Sequence, residues 1–161
     1  MPSQLTESSE ILDVFFSAMR QGYATKPKKG TIAELPGSKV IPFESGEFKL
    51  IDCYFTIPDN LASFGQTIIW HNNTPIWMMS YHGWYFEEAI PFLKRALSET
   101  YSKNNFFGGR GPHFFRDNLM TYINNVEKND WKSFRGREEI FGPNGTSLGW
   151  HGYQGMILLP L

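Results

Sequence analysis

The sequence predicts an α+β fold, a curved antiparallel sheet of about six strands with two helices packed on one face. Three observations carry that prediction. Only two segments show a helical repeat of apolar residues, most of the chain after residue 47 reads as strand-like aromatic or aliphatic runs, and those runs are separated by short turn sequences. A doubly wound parallel sheet would need a helix between successive strands, and these runs leave no room for one. With 161 residues, 41% of them apolar, the chain suits one well-buried core. We therefore read residues 1–161 as a single domain, with an N-terminal helix and a Pro/Gly-rich connection over 1–46. The sheet and the second helix occupy 47–161.

The first helix is read from Ile11, Leu12, Phe15, Ala18 and Met19, which recur at helical spacing, with N-cap candidates from Thr6 to Ser9 and Gly22 as its end. Residues 24–46 contain Pro27, Pro36 and Pro42 with several glycines, so the expectation there is a long connection with one short extended piece. The run "EFKLIDCYFTI" reads as a strand with Phe48, Leu50, Asp52 and Tyr54 on one face and Lys49, Ile51, Cys53 and Phe55 on the other. "QTIIWHNNTPIWMMSYHGW" reads as a hairpin turning at Asn72-Asn73, since asparagine tolerates the positive φ of tight turns. Its second strand places Trp77, Met79 and Tyr81 on one face and Ile76, Met78, Ser80 and His82 on the other. The second helix is "FEEAIPFLKRALSETY", with Ile90, Leu93, Ala96 and Leu97 as its buried stripe. "NLMTYINNV", "WKSFRGREEIF" and "SLGWHGYQGMIL" complete the strands.

These strands are apolar on both faces, whereas an antiparallel sheet with one open face should alternate with polar residues. Two helices cover one face well, so the other face is expected to line a cavity, bind a ligand or meet a partner. The polar-tipped aromatics Tyr54, Trp77 and Tyr81 are the expected lining, on the face away from the helices.

Charge and composition narrow the classes. The formal net charge is −1, without the positive field that phosphate neutralisation needs, so direct nucleic-acid binding is not expected. The cluster "KPKKG" at Lys26 to Gly30 reads as a solvated loop. The polar start offers no signal peptide, no run reaches the length of a membrane span, and the single cysteine, Cys53, has no internal partner. A cytoplasmic protein without membrane association is the resulting expectation.

The segment "GGRGP" lacks the Gly-Lys-Ser/Thr end of a phosphate loop and the glycine spacing of a dinucleotide fingerprint. Its glycines and Pro112 instead aim Arg110, whose planar fork suits a carboxylate on a ligand or on Glu138, Glu139 or Asp52 of the same chain. The internal ion pair is the simpler alternative. Asp52, mid-strand among apolar residues, needs a hydrogen-bond partner or serves as a polar anchor on a cavity wall. His71, His82, His113 and His151 show no metal-ligand spacing, so neither a metal nor a cofactor is expected. His151 is the histidine singled out, because Gly149 and Gly152 let another group approach closely. In "FRGREEIF", Arg135, Arg137, Glu138 and Glu139 read as a salt-bridged strand edge.

The order of "FKLIDCYF", the Trp70-to-Trp77 hairpin, "FLKRALSETY", the Arg110-Gly111-Pro112 turn, the Phe134-to-Glu138 segment and "WHGYQGMI" resembles a bacterial domain family, domain of unknown function 5680, over Glu47 to Ile157. Members of that family often follow a helix-turn-helix of the XRE regulator type and also stand alone. The resemblance implies a cytoplasmic bacterial sensor or effector module and carries over no catalytic residue. This chain has one clear helix before its Pro-rich stretch, so a role as a fused DNA-binding regulator is not expected.

The resulting expectation is a non-enzymatic binding or sensor-type domain. Its site would comprise Asp52, Tyr54, Trp77, Met79, Tyr81, Arg110, Glu139 and His151, and its ligand would be small and anionic or aromatic. A protein-interaction module, with a second copy or another protein on the aromatic face, is the alternative. An enzyme using Asp52, Glu139 or His151 in acid-base chemistry is the least supported reading.

Overall fold

A computed structural model describes residues 8–24 and 29–159. The first element is helix α1, Ser8–Ala24, whose Ile11, Val14, Phe15, Phe16 and Ala18 are buried on one side. The candidate cap Thr6 and the residues Lys26 to Lys28 of the basic cluster lie outside the described residues.

Five strands follow as a meander: β1 (Gly30–Ile32), β2 (Leu35–Ser45), β3 (Phe48–Thr56), β4 (Ala62–His71) and β5 (Thr74–Tyr85). A short 3-10 turn at Glu87–Ala89 leads into α2 (Ile90–Tyr101). Four more strands complete the chain: β6 (Phe114–Arg116), β7 (Thr121–Asp130), β8 (Ser133–Phe141) and β9 (Ser147–Ile157). All nine form one open, curved sheet in the order β1-β2-β3-β4-β5-β9-β8-β7-β6, with every neighbouring pair antiparallel. Two meanders thus meet where β5 pairs with β9.

The α+β class stands, and the strand number is corrected from about six to nine among the described residues. The shortfall lies chiefly in the Pro-rich stretch, read as a connection, which folds as β1 and the eleven-residue β2. Proline is tolerated in a strand where no neighbour needs its N–H. Pro36 stands one residue inside the start of β2, and β1 pairs with β2 no further than Val40, so Pro42 has no strand beyond it on that side. A second correction concerns "FRGREEIF". It is β8, held between β7 and β9 in the sheet interior, and is not an edge.

The Asn72-Asn73 hairpin forms as expected: both residues have positive φ, 48° and 63°, and His71 pairs with Thr74. Leu50, Ile69, Trp77 and Met79 of the sheet pack with Phe15 and Phe16 of α1 and with Phe92, Leu97 and Tyr101 of α2 in one apolar core. Trp77 lies 5.4 Å from Phe15 and stacks at 5.5 Å on Phe134. The alternation along β3 and β5 therefore sends Asp52, Tyr54, Met79 and Tyr81 to the same face as Leu50 and Trp77, which is the face the helices cover.

Candidate functional site

Helices of 17 and 12 residues cannot fill the concave side of a nine-stranded sheet, and a cavity of about 680 Å³ remains between them and β2 to β5. Its apolar walls include Phe15 and Met19 of α1, Leu50 and Met79 of the sheet, and Ile90 of α2. The face is opposite to the one expected. Period two divides a strand into two faces but does not say on which of them the helices land.

Asp52, Tyr54, Met79, Tyr81, Arg110 and His151 line this cavity. Trp77 does not: it is 1% exposed, sealed in the core, and its indole Nε1 donates to the Trp131 carbonyl at 3.0 Å. Glu139 does not either. One residue on from the inward Glu138, it points to the opposite face, where it accepts from Ser147 Oγ at 2.8 Å and lies 3.9 Å from Arg137.

Asp52 of β3 sits opposite Thr67 of β4, which in turn sits opposite Met79 of β5. That register lets the Thr67 hydroxyl donate to Asp52 Oδ1 at 3.2 Å, and the Tyr81 phenol reaches the same oxygen at 2.6 Å. Burial pushes the Asp52 carboxyl above its usual range, against the lowering effects of the Tyr81 and Thr67 hydrogen bonds and the Arg110 charge. Among the described residues no group donates to Oδ2, and that oxygen remains solvent-accessible.

Arg110 is delivered by a turn closed between the Phe107 carbonyl and the Arg110 N–H, 3.1 Å apart. Gly108 and Gly109 hold φ of 62° and 71°, a conformation that side chains strain to adopt. Side chains around the turn bind several of its carbonyls. Tyr101 Oη donates to the Gly109 carbonyl at 3.0 Å, Thr100 Oγ1 to the Arg110 carbonyl at 2.6 Å, and Asn124 Nδ2 to the Phe107 and Gly111 carbonyls at 3.1 and 2.8 Å. So fixed, Arg110 pairs with Glu138 of β8 through Nε, at 3.1 Å, and Nη2, while Tyr122 Oη donates to the other carboxylate oxygen at 2.5 Å. Of the three carboxylates considered from the sequence, Glu138 is the partner. Its burial opposes ionisation, but the charge and hydrogen bonds of Arg110 prevail and hold it below the usual range. Tyr122, sealed beside it, is held well above the usual phenol range by burial and by the Glu138 charge.

His151 of β9 pairs in register with Glu138 and shares a 3.0 Å hydrogen bond with Ser63 through Nε2. Burial, with Arg110 nearby, lowers its pKa to about 4, so the ring is neutral near pH 7. Its Nδ1 is buried without a hydrogen-bond partner among the described residues, and the centre of the Tyr85 ring lies 4.9 Å away.

Ser63, Thr67 and the α1 wall were not singled out from the sequence. Thr67 and Ser63 join the site through strand register, and α1 joins it through helix docking; neither leaves a mark on the local sequence. Among the described residues no group of three His, Cys, Asp or Glu side chains is placed to hold a metal ion, and no helix is long and apolar enough to cross a membrane.

No curated protein and no solved structure matches the chain. The family DUF5680, a domain of unknown function, matches residues 52–157, more than half of the chain, from Asp52 at the cavity floor to the end of β9. The chain therefore belongs to the DUF5680 family.

Proposed function

We propose that this domain binds a small organic molecule between its helices and its sheet, as a non-enzymatic binding or sensor module in the reducing interior of a bacterial cell. The observation that carries the reading is the 680 Å³ cavity, lined by apolar side chains and floored by a small set of convergent polar groups. The lone, buried Cys53 supports the reducing compartment. Against acid-base catalysis stands the state of the candidate groups. His151 is a poor base with a pKa of about 4, and Glu139 is turned away from the cavity toward Ser147 and Arg137.

Native mass spectrometry of the freshly purified protein, compared with its denatured mass, tests the reading. Extra mass on the native monomer that is lost on denaturation supports a retained ligand. A bare monomer whose melting temperature no small-molecule library shifts would refute it.

The opposite sheet face favours a second reading, self-association. Phe64, 48% exposed there, stacks at 4.9 Å on Phe55 of the neighbouring strand, and Phe114, 59% exposed, lies in register with Ile123 of β7. Sedimentation velocity decides it: a dimer broken by Phe64→Asp supports this reading, and a monomer at high concentration ends it.

A further inference from the structure

The cavity floor is unequal in what it has left to offer a ligand. The Arg110 guanidinium is already paired with Glu138, so an anionic ligand would have to compete with a fully buried carboxylate for it. Asp52 is in the reverse position. Both of its donors, Thr67 and Tyr81, reach Oδ1, and the accessible Oδ2 receives no hydrogen bond among the described residues. A half-buried carboxylate with one oxygen open to the cavity and no ion-pair partner among the described residues is stabilised most by a charged N–H donor.

The wall above it already carries cations. Tyr54 already has the ammonium groups of Lys29 and Lys39 over its ring, 5.3 and 5.7 Å from the centroid. Lys29 and Lys94, which border the cavity, are exposed, so their repulsion of an entering cation is screened by solvent and salt.

We propose that the ligand is an amine: a protonated nitrogen donating to Asp52 Oδ2, on an apolar body held among Phe15, Met19, Leu50 and Met79. The inference rests on the binding reading above and names its chemical class. The amine nitrogen lies beside Tyr81, and the body extends toward α1.

Three probes that share one skeleton test it: 4-phenylbutylamine, 4-phenylbutanol and 4-phenylbutyrate, titrated calorimetrically into the full chain at pH 7.5. The amine is expected to bind roughly tenfold or more tightly than the alcohol, as a charge-assisted hydrogen bond exceeds a neutral one, with the carboxylate weakest. In Asp52→Asn the amine should fall to the level of the alcohol, and the alcohol should be unchanged, which a general loss of structure would not produce. Equal or tighter binding of the alcohol or the carboxylate by the wild-type chain overturns the amine proposal and leaves the cavity reading standing. If none of the three binds, the amine proposal falls, and the cavity reading is decided by the native mass and the melting-temperature screen described above. The wild-type comparison decides the matter even where the variant is poorly folded.

Discussion

Arg110 sends two nitrogens, Nε and Nη2, to one oxygen of Glu138, and Tyr122 takes the other. The carboxylate is 0% exposed, so the pair works as a buried strut between the turn that follows α2 and strand β8. Removing one partner strands the other charge. Arg110→Ala should therefore cost about 3–5 kcal/mol of stability, read from urea unfolding. Loss of ligand binding at unchanged stability would mean instead that Arg110 serves the ligand and not the scaffold.

Tyr122 has two duties, since its oxygen also accepts from the Gly111 N–H at 3.0 Å. Tyr122→Phe removes a donor from Glu138 and an acceptor from that amide, and about 1–3 kcal/mol should be lost. A double-mutant cycle with Glu138→Gln should show the two sites to be coupled. Strict additivity would contradict the geometry described above.

His151 sets an acid limit on stability. Its folded pKa, about 4, is depressed below the ordinary 6.5, so the unfolded chain takes up a proton that the folded chain refuses. The contribution is fully present above about pH 6.5, is lost progressively as pH falls toward 4, and is constant below that. The full loss is about 3 kcal/mol. Unfolding free energies measured from pH 7 to pH 4 should follow this slope, and His151→Gln should flatten it. A difference between wild type and His151→Gln that stays flat across that window, where Asp52 contributes equally to both, would rule out a neutral buried ring.

Asp52 behaves in the opposite sense. Burial raises its folded pKa, so the folded chain holds the proton more tightly, and the associated stability is lost as pH rises from the ordinary aspartate range through the raised value. Asp52→Asn keeps an oxygen for Tyr81 and Thr67 and cannot ionise. It should melt above the wild type at neutral pH, with the gain vanishing in acid, as scanning calorimetry at two pH values would show. A lower melting temperature at neutral pH would mean that the ionised carboxylate stabilises the empty domain.

What the sequence made legible was local. The Asn72-Asn73 hairpin, the stripe of α2 and the turn that aims Arg110 each rest on residues within one turn or repeat of one another, and each appears in the fold. Strand β2 was hidden because Pro42 argues against a strand unless the neighbouring edge is known to be open. The site was legible in its residue types and not in its assembly. Asp52 was readable as a carboxylate in need of partners, but Thr67 becomes one only through the register of β3 on β4. Glu138 and Glu139 are adjacent and chemically alike, and only the phase of β8 sends the first inward to Arg110 and the second outward. Which face the helices cover is a property of docking, and the aromatic content of both faces disguised it.

Strand β9 is the last in sequence yet central in space, inserted between β5 and β8. Until residues 147–157 arrive, the two meanders share no strand pairing, and the long edges of β5 and β8 lie open. Pairing partners separated by some seventy residues, as Gly83 and His151 are, close late and slowly. The domain is thus most exposed to misassembly just before its final strand docks, when those two edges can pair with another chain. The same event brings His151 to Ser63, so the cavity floor is closed only once β9 is in place.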